Sequence, residues 1–226
     1  MTPTTPTAAL VARDWAEIQE RMLVPLYEAV YDRLELGPGD RLLGLDCGAG
    51  LALLLAAGRG ARVTGVEPRP ELRALARERV LEVATAPPRP AGDPYDVLTA
   101  FAPEPDALAA ALPVVGRGAA VVLADWGPPE RCTVPALPGG GPVPRDLDAL
   151  VERAGLVPDG SGRVFCPFGY ADTESAVRGL LSSGLYDLAD PAQTEKELTE
   201  ALHPYERADG SVWLPNIFRY VIARTE

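Results

Sequence analysis

The chain has 226 residues and a formal charge of −11, from 32 Asp and Glu against 21 Lys and Arg. That balance argues against nucleic acid or an anionic membrane surface as the main partner, since both would repel it. Three widely spaced cysteines, Cys47, Cys132 and Cys166, contain no C-x-x-C pair, so neither a disulfide framework nor a zinc site is expected.

Residues 1–9 are rich in Thr and Pro and are expected to be disordered. They lack the basic and apolar regions of a signal peptide, and no apolar run reaches the roughly eighteen residues of a membrane helix. A cytoplasmic chain is the expectation. From Val11 to Leu36, Trp15, Ile18, Met22, Leu26, Ala29 and Val30 recur at helical spacing, and Pro25 divides the stretch into two helices. Gly37-Pro-Gly-Asp40 turns the chain into a strand over Arg41–Asp46, and Leu51–Ala57 reads as a helix. A strand at 62–66, a helix at 70–79 and a short strand at 80–84 follow. Beyond the proline-rich loop 86–94, the pattern predicts a strand at 95–101, a helix at 104–112 and a strand at 119–125. Apolar strands alternating with helices imply an α/β chain with a mostly parallel sheet covered on both faces. After Trp126 the texture turns irregular and Gly/Pro-rich over 135–144. A helix at 145–154, a strand at 163–166, amphipathic helices at 173–184 and 192–203 and a last strand at 212–223 complete the pattern.

The chemistry concentrates in Arg41-Leu-Leu-Gly-Leu-Asp-Cys-Gly-Ala-Gly50 and Val63-Thr-Gly-Val-Glu67. Two apolar strands each end on an acid, and two glycines open the intervening helix, a unit suited to a nucleoside cofactor. Gly48 and Gly50 let the backbone approach the ligand, and Glu67 is placed to accept from ribose hydroxyls. A dinucleotide fingerprint wants a third glycine where this chain has Leu53, and a pyrophosphate would be repelled by Asp46. S-adenosylmethionine has no phosphate, and its ammonium, sulfonium and ribose suit Asp46, the glycine loop and Glu67.

On these residues the chain resembles the class I S-adenosylmethionine-dependent methyltransferases, of the bacterial small-molecule type found in secondary metabolism and antibiotic biosynthesis. Gly37–Gly50 fits the family's first motif and Glu67 its ribose-binding acid. Weaker echoes are Asp14-Trp15 to Pro25-Leu-Tyr27, Tyr95-Asp96-Val97, Trp126-Gly-Pro-Pro-Glu130 and Asn216-Ile-Phe-Arg-Tyr220. The resemblance implies a Rossmann-like, seven-stranded sheet with an antiparallel last strand. An N-terminal helical cap (1–38), a core (39–167), a helical lid (168–209) and a last strand (210–226) would make up the chain. It implies cofactor contacts from Trp15, Gln19, Asp46, Gly48, Gly50, Glu67, Pro68, Thr85, Ala86 and Phe101. In two places the chain departs from the family. Thr85 stands where an acid commonly accepts the adenine amino group, and a neutral hydroxyl makes a bond roughly half as strong. The segment after Phe101 is several residues short.

Methyl transfer needs alignment and exclusion of water, with a base only where the acceptor must lose a proton. The candidates are His203, the sole histidine, together with Tyr27 and Tyr170. Each has a plainer reading, His203 as a helix cap and the tyrosines as core. Tyr27, Trp126 and Tyr170 are the expected substrate-pocket residues. No metal is implied. The expected partner is a small-molecule substrate, with the chain a monomer or homodimer. Methyl transfer leads. A methyltransferase fold reused for a cyclisation or rearrangement, and a non-catalytic ligand-binding protein, are its rivals.

Overall fold

The computed structural model describes residues 7–79, 81–90, 92–139, 144–186 and 190–226. Helix α1 (Ala8–Asp14) opens the chain, and the Thr7 side chain caps it by accepting from Leu10 N. That cap makes Ala8 and Ala9 helical, against the expected disorder; residues 1–6 of that expectation lie outside the described residues. A π-helical turn (Trp15–Gln19) and a 3-10 turn (Glu20–Leu23) lead into α2 (Val24–Arg33). The break therefore falls before Pro25, which stands in the first turn of α2 and has no N–H to give the turn behind it.

Strand β1 (Arg41–Leu45), helix α3 (Leu51–Gly58), strand β2 (Arg62–Val66), helix α4 (Pro70–Glu78) and strand β3 (Val83–Ala84) follow. Next come β4 (Tyr95–Phe101), α5 (Pro105–Ala111), β5 (Val115–Trp126), α6 (Leu147–Arg153) and β6 (Val157–Phe165). The remainder is β7 (Phe168–Tyr170), α7 (Thr173–Ser182), α8 (Pro191–Leu202), β8 (Val212–Leu214) and β9 (Ile217–Arg224). Seven strands form one sheet in the order β3-β2-β1-β4-β5-β9-β6, and β9 alone runs against the direction of the other six. Strand order reverses between β1 and β4, which opens a crevice at the carboxyl ends. One apolar layer packs Tyr31, Leu42, Leu53 and Phe168 on one face of the sheet; Leu43, Leu98, Leu108 and Leu147 fill the other. Among the described residues no helix is long and apolar enough to cross a membrane.

Helix α3 seats closely on the sheet because the strands, rather than the helix, carry the glycines. A Cβ on Gly44 would lie 2.8 Å from Leu53 Cδ2, and one on Gly65 would lie 2.7 Å from Leu53 Cδ1. Leu53 fills the groove these two residues leave. The Gly65 position would also meet Cys47 Sγ at 2.8 Å and Val83 Cγ2 at 3.0 Å. Gly65→Ala is therefore expected to destabilise the chain by about 1–3 kcal/mol through overpacking. A urea midpoint lowered at unchanged m-value is the signature to look for.

Several strands differ from their expected spans. Strand β6 starts at Val157, within a stretch rich in Pro and Gly. Gly162 is required there because a Cβ would lie 2.5 Å from the Tyr220 ring, and Pro158 is tolerated on an edge strand beside a bulge. β5 begins at Val115, four residues early, with an irregular register against β4. The stretch read as one last strand is two: β8 pairs antiparallel with β7, while β9 belongs to the main sheet. Pro215 stands between them, and buried Asn216 ties the bend down. Its Oδ1 accepts from Thr133 N (3.0 Å) and Val134 N (3.1 Å). Strand β3 is shorter than expected, and Val80 lies outside the described residues, as do 140–143 of the Gly/Pro-rich stretch.

The segment between β6 and β9 carries α7 and α8 on the small β7–β8 sheet. Gly169 is a strand residue lying against Trp213. Helix α7 packs on the N-terminal segment, where Arg178 pairs with Asp14 and Tyr170 Oη donates to Gln19 Oε1 (2.8 Å).

Candidate functional site

Past β1 the backbone turns sharply, with positive φ at Asp46 (46°), Gly48 (58°) and Gly50 (88°). Gly50 then caps the start of α3. Glu67, one residue past β2, is fully buried. Its Oε2 accepts from Gly48 N (2.8 Å), and its Oε1 from Arg69 N (2.9 Å) and Arg69 Nε (3.1 Å). The carboxylate thus joins the glycine loop to the start of α4, beneath the half-exposed side chain of Arg69.

The N-terminal segment lies over this loop. A Cβ on Gly48 would stand 2.8 Å from Trp15 Nε1 and 3.1 Å from Glu20 Oε1. Glu20 is buried; it accepts from Leu51 N at the start of α3 (3.1 Å) and from Arg79 Nη1 (2.9 Å). Arg79 also donates to Ala49 O (2.9 Å) and Ala16 O (3.4 Å), so it clasps α4, the loop and the N-terminal segment together. Burial pushes the Glu20 carboxyl up, and these donors partly oppose the shift.

Between this segment and the ends of β1, β4 and β5 lies a cavity of about 780 Å³, counted to its open mouth. Tyr27, Phe101, Trp126, Phe168 and Phe218 form aromatic walls, with Leu23, Leu26 and Leu185 between them. The rings pack on one another, with centroids 4.7 Å apart for Tyr27–Phe101 and 4.5 Å for Trp126–Phe218. Three carboxylates reach the cavity. Asp125 accepts from Trp126 N (2.7 Å) and Arg145 N (3.0 Å), and Glu20 is held as described. Asp46 differs, because its buried Oδ2 has no hydrogen-bond partner among the described residues. Burial, then the charge of Glu67, raises its carboxyl above the usual range. A second buried polar atom without a partner among the described residues shares the cavity: Trp15 Nε1, a donor. Cys47 also lines it, and burial pushes its thiol up to about 12, which leaves it protonated and inert at neutral pH.

Of the residues singled out in the sequence, Trp15, Gln19, Tyr27, Asp46, Gly48, Phe101 and Trp126 line this one cavity. Glu67 and Gly50 do not. Glu67 is sealed behind the loop, and Gly50 faces Leu81 and Ala76. Pro68, Thr85 and Ala86 are exposed beside the ends of β2 and β3, outside the cavity. Tyr170 also lies outside, bonded to Gln19, and burial raises its phenol far above its ordinary value. His203 has an 83% exposed side chain, bonded to Glu206 Oε2 at 3.1 Å, and does not line the cavity. Glu20, Arg69, Arg79, Asp125, Phe168 and Phe218 escaped the sequence reading. Only Phe218 left a signal, inside the Asn216–Tyr220 run. Among the described residues no cluster of His, Cys, Asp and Glu could hold a metal ion.

No family model and no curated protein matches the chain. Solved structures do. A SAM-dependent methyltransferase from Geobacter sulfurreducens, in complex with S-adenosyl-L-homocysteine, is 16% identical with a TM-score of 0.53, over 99% of this chain and 100% of that one. Geranyl diphosphate C-methyltransferase from Streptomyces coelicolor A3(2) is 16% identical at a TM-score of 0.52, over 98% and 89%. The [4+2]-cyclase SpnF is 18% identical at 0.55, over 88% and 80%. At such identities the likeness is one of architecture: the chain has the Rossmann-like fold of the class I SAM-dependent methyltransferases.

Proposed function

We propose that the chain transfers a methyl group from S-adenosylmethionine to a small apolar or aromatic acceptor in the aromatic-walled cavity. One observation carries this reading. Two buried polar atoms of opposite character, the donor Trp15 Nε1 and the acceptor Asp46 Oδ2, lack partners among the described residues and line the same cavity around Gly48. A zwitterionic amino-acid end satisfies both, its carboxylate on the indole and its ammonium on Asp46. An unmade buried hydrogen bond costs about 1–3 kcal/mol, so the pair favours such a ligand. When bound, the cofactor supplies an electrophilic methyl group on a sulfonium that leaves without help from an acid. Glu67 would meet the ribose, with Pro68, Thr85 and Ala86 beside the base at the open edge.

The chain's own residues then hold the acceptor and exclude water. Burial keeps the Tyr27 phenol protonated, so at neutral pH it donates a hydrogen bond to an acceptor oxygen and does not remove a proton. His203 and Tyr170 lie away from the cavity, which leaves none of the three candidates placed as a base. That arrangement favours an acceptor with no proton to lose at the reacting atom. It also supports a second reading, a reused fold that rearranges its substrate.

A thermal-shift panel with S-adenosylmethionine, S-adenosylhomocysteine, NAD and no ligand tests the cofactor. Both sulfur nucleosides at one hundred times their dissociation constant should stabilise by about 2.7 kcal/mol, and NAD should do nothing. Product mass tests the reaction, since methyl transfer adds one methyl group and a rearrangement leaves mass unchanged. Affinity without turnover would point to a binding protein, and stabilisation by NAD alone would refute the cofactor.

A further inference from the structure

Beside Gly48 the chain already holds a carboxylate, its own. Glu20 is 1% exposed and takes one hydrogen bond from Leu51 N, at the start of α3, and another from the Arg79 guanidinium. A helix start and a guanidinium converging on one point form an anion site. Trp15 Nε1 stands on the same face of Gly48 and adds a further N–H without an acceptor among the described residues. The donor set therefore exceeds what Glu20 satisfies.

We propose that Leu51 N, Arg79 and Trp15 Nε1 are the carboxylate site of the cofactor, and that Glu20 is an internal competitor occupying it. This rests on the cofactor assigned above. Glu20 sits where the helix loses its α geometry, between the π turn Trp15–Gln19 and the 3-10 turn Glu20–Leu23, and α2 resumes at Val24. Such irregular turns change conformation at lower cost than regular helix. Arg79 keeps its bonds to Ala49 O and Ala16 O when Glu20 leaves, so the site stays formed for an incoming carboxylate. The resting chain thus admits the carboxylate of a ligand only when that carboxylate displaces Glu20, and the apparent affinity for such a ligand falls by the fraction of time Glu20 is in place.

The test pairs two ligands that differ at the carboxylate. S-adenosylhomocysteine has one; 5′-methylthioadenosine does not. By calorimetry, Glu20→Ala is expected to bind S-adenosylhomocysteine roughly tenfold more tightly than wild type, with methylthioadenosine affinity unchanged. Glu20→Gln, which keeps an acceptor for Leu51 N but loses the charge, should show a smaller gain and guards against misfolding of the alanine variant. Acetate should raise the melting temperature of Glu20→Ala and leave wild type unmoved, because a free carboxylate refills the site. Unchanged S-adenosylhomocysteine affinity in both variants, or equal gains for the two ligands, overturns the competitor role. If acetate rescues but no nucleoside binds any variant, the cofactor assignment fails while the anion site stands. If neither acetate nor nucleoside has an effect, the site itself is refuted.

Discussion

Asp46→Asn is expected to make the ligand-free chain more stable and, at the same time, to weaken cofactor binding. The wild-type carboxylate is held at φ 46° with an unpartnered buried oxygen, near the buried carboxylate of Glu67. Asparagine tolerates that left-handed conformation well and carries no charge to desolvate. The gain should be on the order of 1 kcal/mol, as is common when a strained functional group is relaxed. The pH dependence fixes the cause. Burial and Glu67 raise the Asp46 carboxyl, so the folded chain holds its proton more tightly than the unfolded chain. Its contribution to stability is present below the ordinary carboxylate range and is lost as pH climbs through the raised value. The stability gap between variant and wild type should therefore narrow as pH falls from neutral through the raised value and into the ordinary carboxylate range. For binding the sign reverses. Losing a charge-assisted bond to an ammonium costs about 1.5–3 kcal/mol, or roughly tenfold to a hundredfold in affinity for S-adenosylhomocysteine. A variant that is neither more stable without ligand nor weaker in binding would remove Asp46 from the site.

How much of this was legible in the residues depends on range. The strand–glycine–helix unit could be read because its determinants are local: apolar runs, an acid at each strand end, and glycines where φ is positive. Leu53 was noticed as a missing glycine, but its meaning required Gly44 and Gly65 on two different strands. Strand β6 was missed over its first six residues, because Pro158 and Gly162 read as loop until Tyr220 of β9 is placed across from them. The cavity walls follow the same division. Tyr27, Phe101 and Trp126 lie near recognisable strand ends or motifs, whereas Phe168 belongs to a short strand paired forty-odd residues away. Glu20 left no trace at all. A glutamate in an amphipathic helical stretch reads as a solvated face, and its partner Arg79 lies 59 residues further on. Tyr170 and His203 carried the right chemistry for a site but not the position, since side-chain type says nothing about which way an element faces.

The other large effect concerns Glu67, whose role in the resting chain is structural as well as the ligand contact proposed for it. Full burial and three hydrogen bonds make its carboxylate the link between the glycine loop and α4. In Glu67→Ala the Gly48 and Arg69 N–H groups lose their acceptor, and the guanidinium of Arg69 loses its counter-ion. Arg69 is half exposed and is readily solvated, so most of the cost falls on the Gly48 amide and the space left behind. A loss of roughly 2–4 kcal/mol is expected. Glu67→Gln keeps one acceptor and should lose about half as much, because its amide nitrogen faces donors where the carboxylate had an oxygen. Urea denaturation of the ligand-free variants measures both. A residue that only waits for ribose would behave differently: its removal would leave unfolding unchanged and weaken nucleoside binding alone. A loss of stability in both variants, graded from alanine to glutamine, would establish that the acid closes the loop on itself before any ligand arrives. The ligand must then compete with Gly48 and Arg69 for Glu67, as it competes with Glu20 for Arg79.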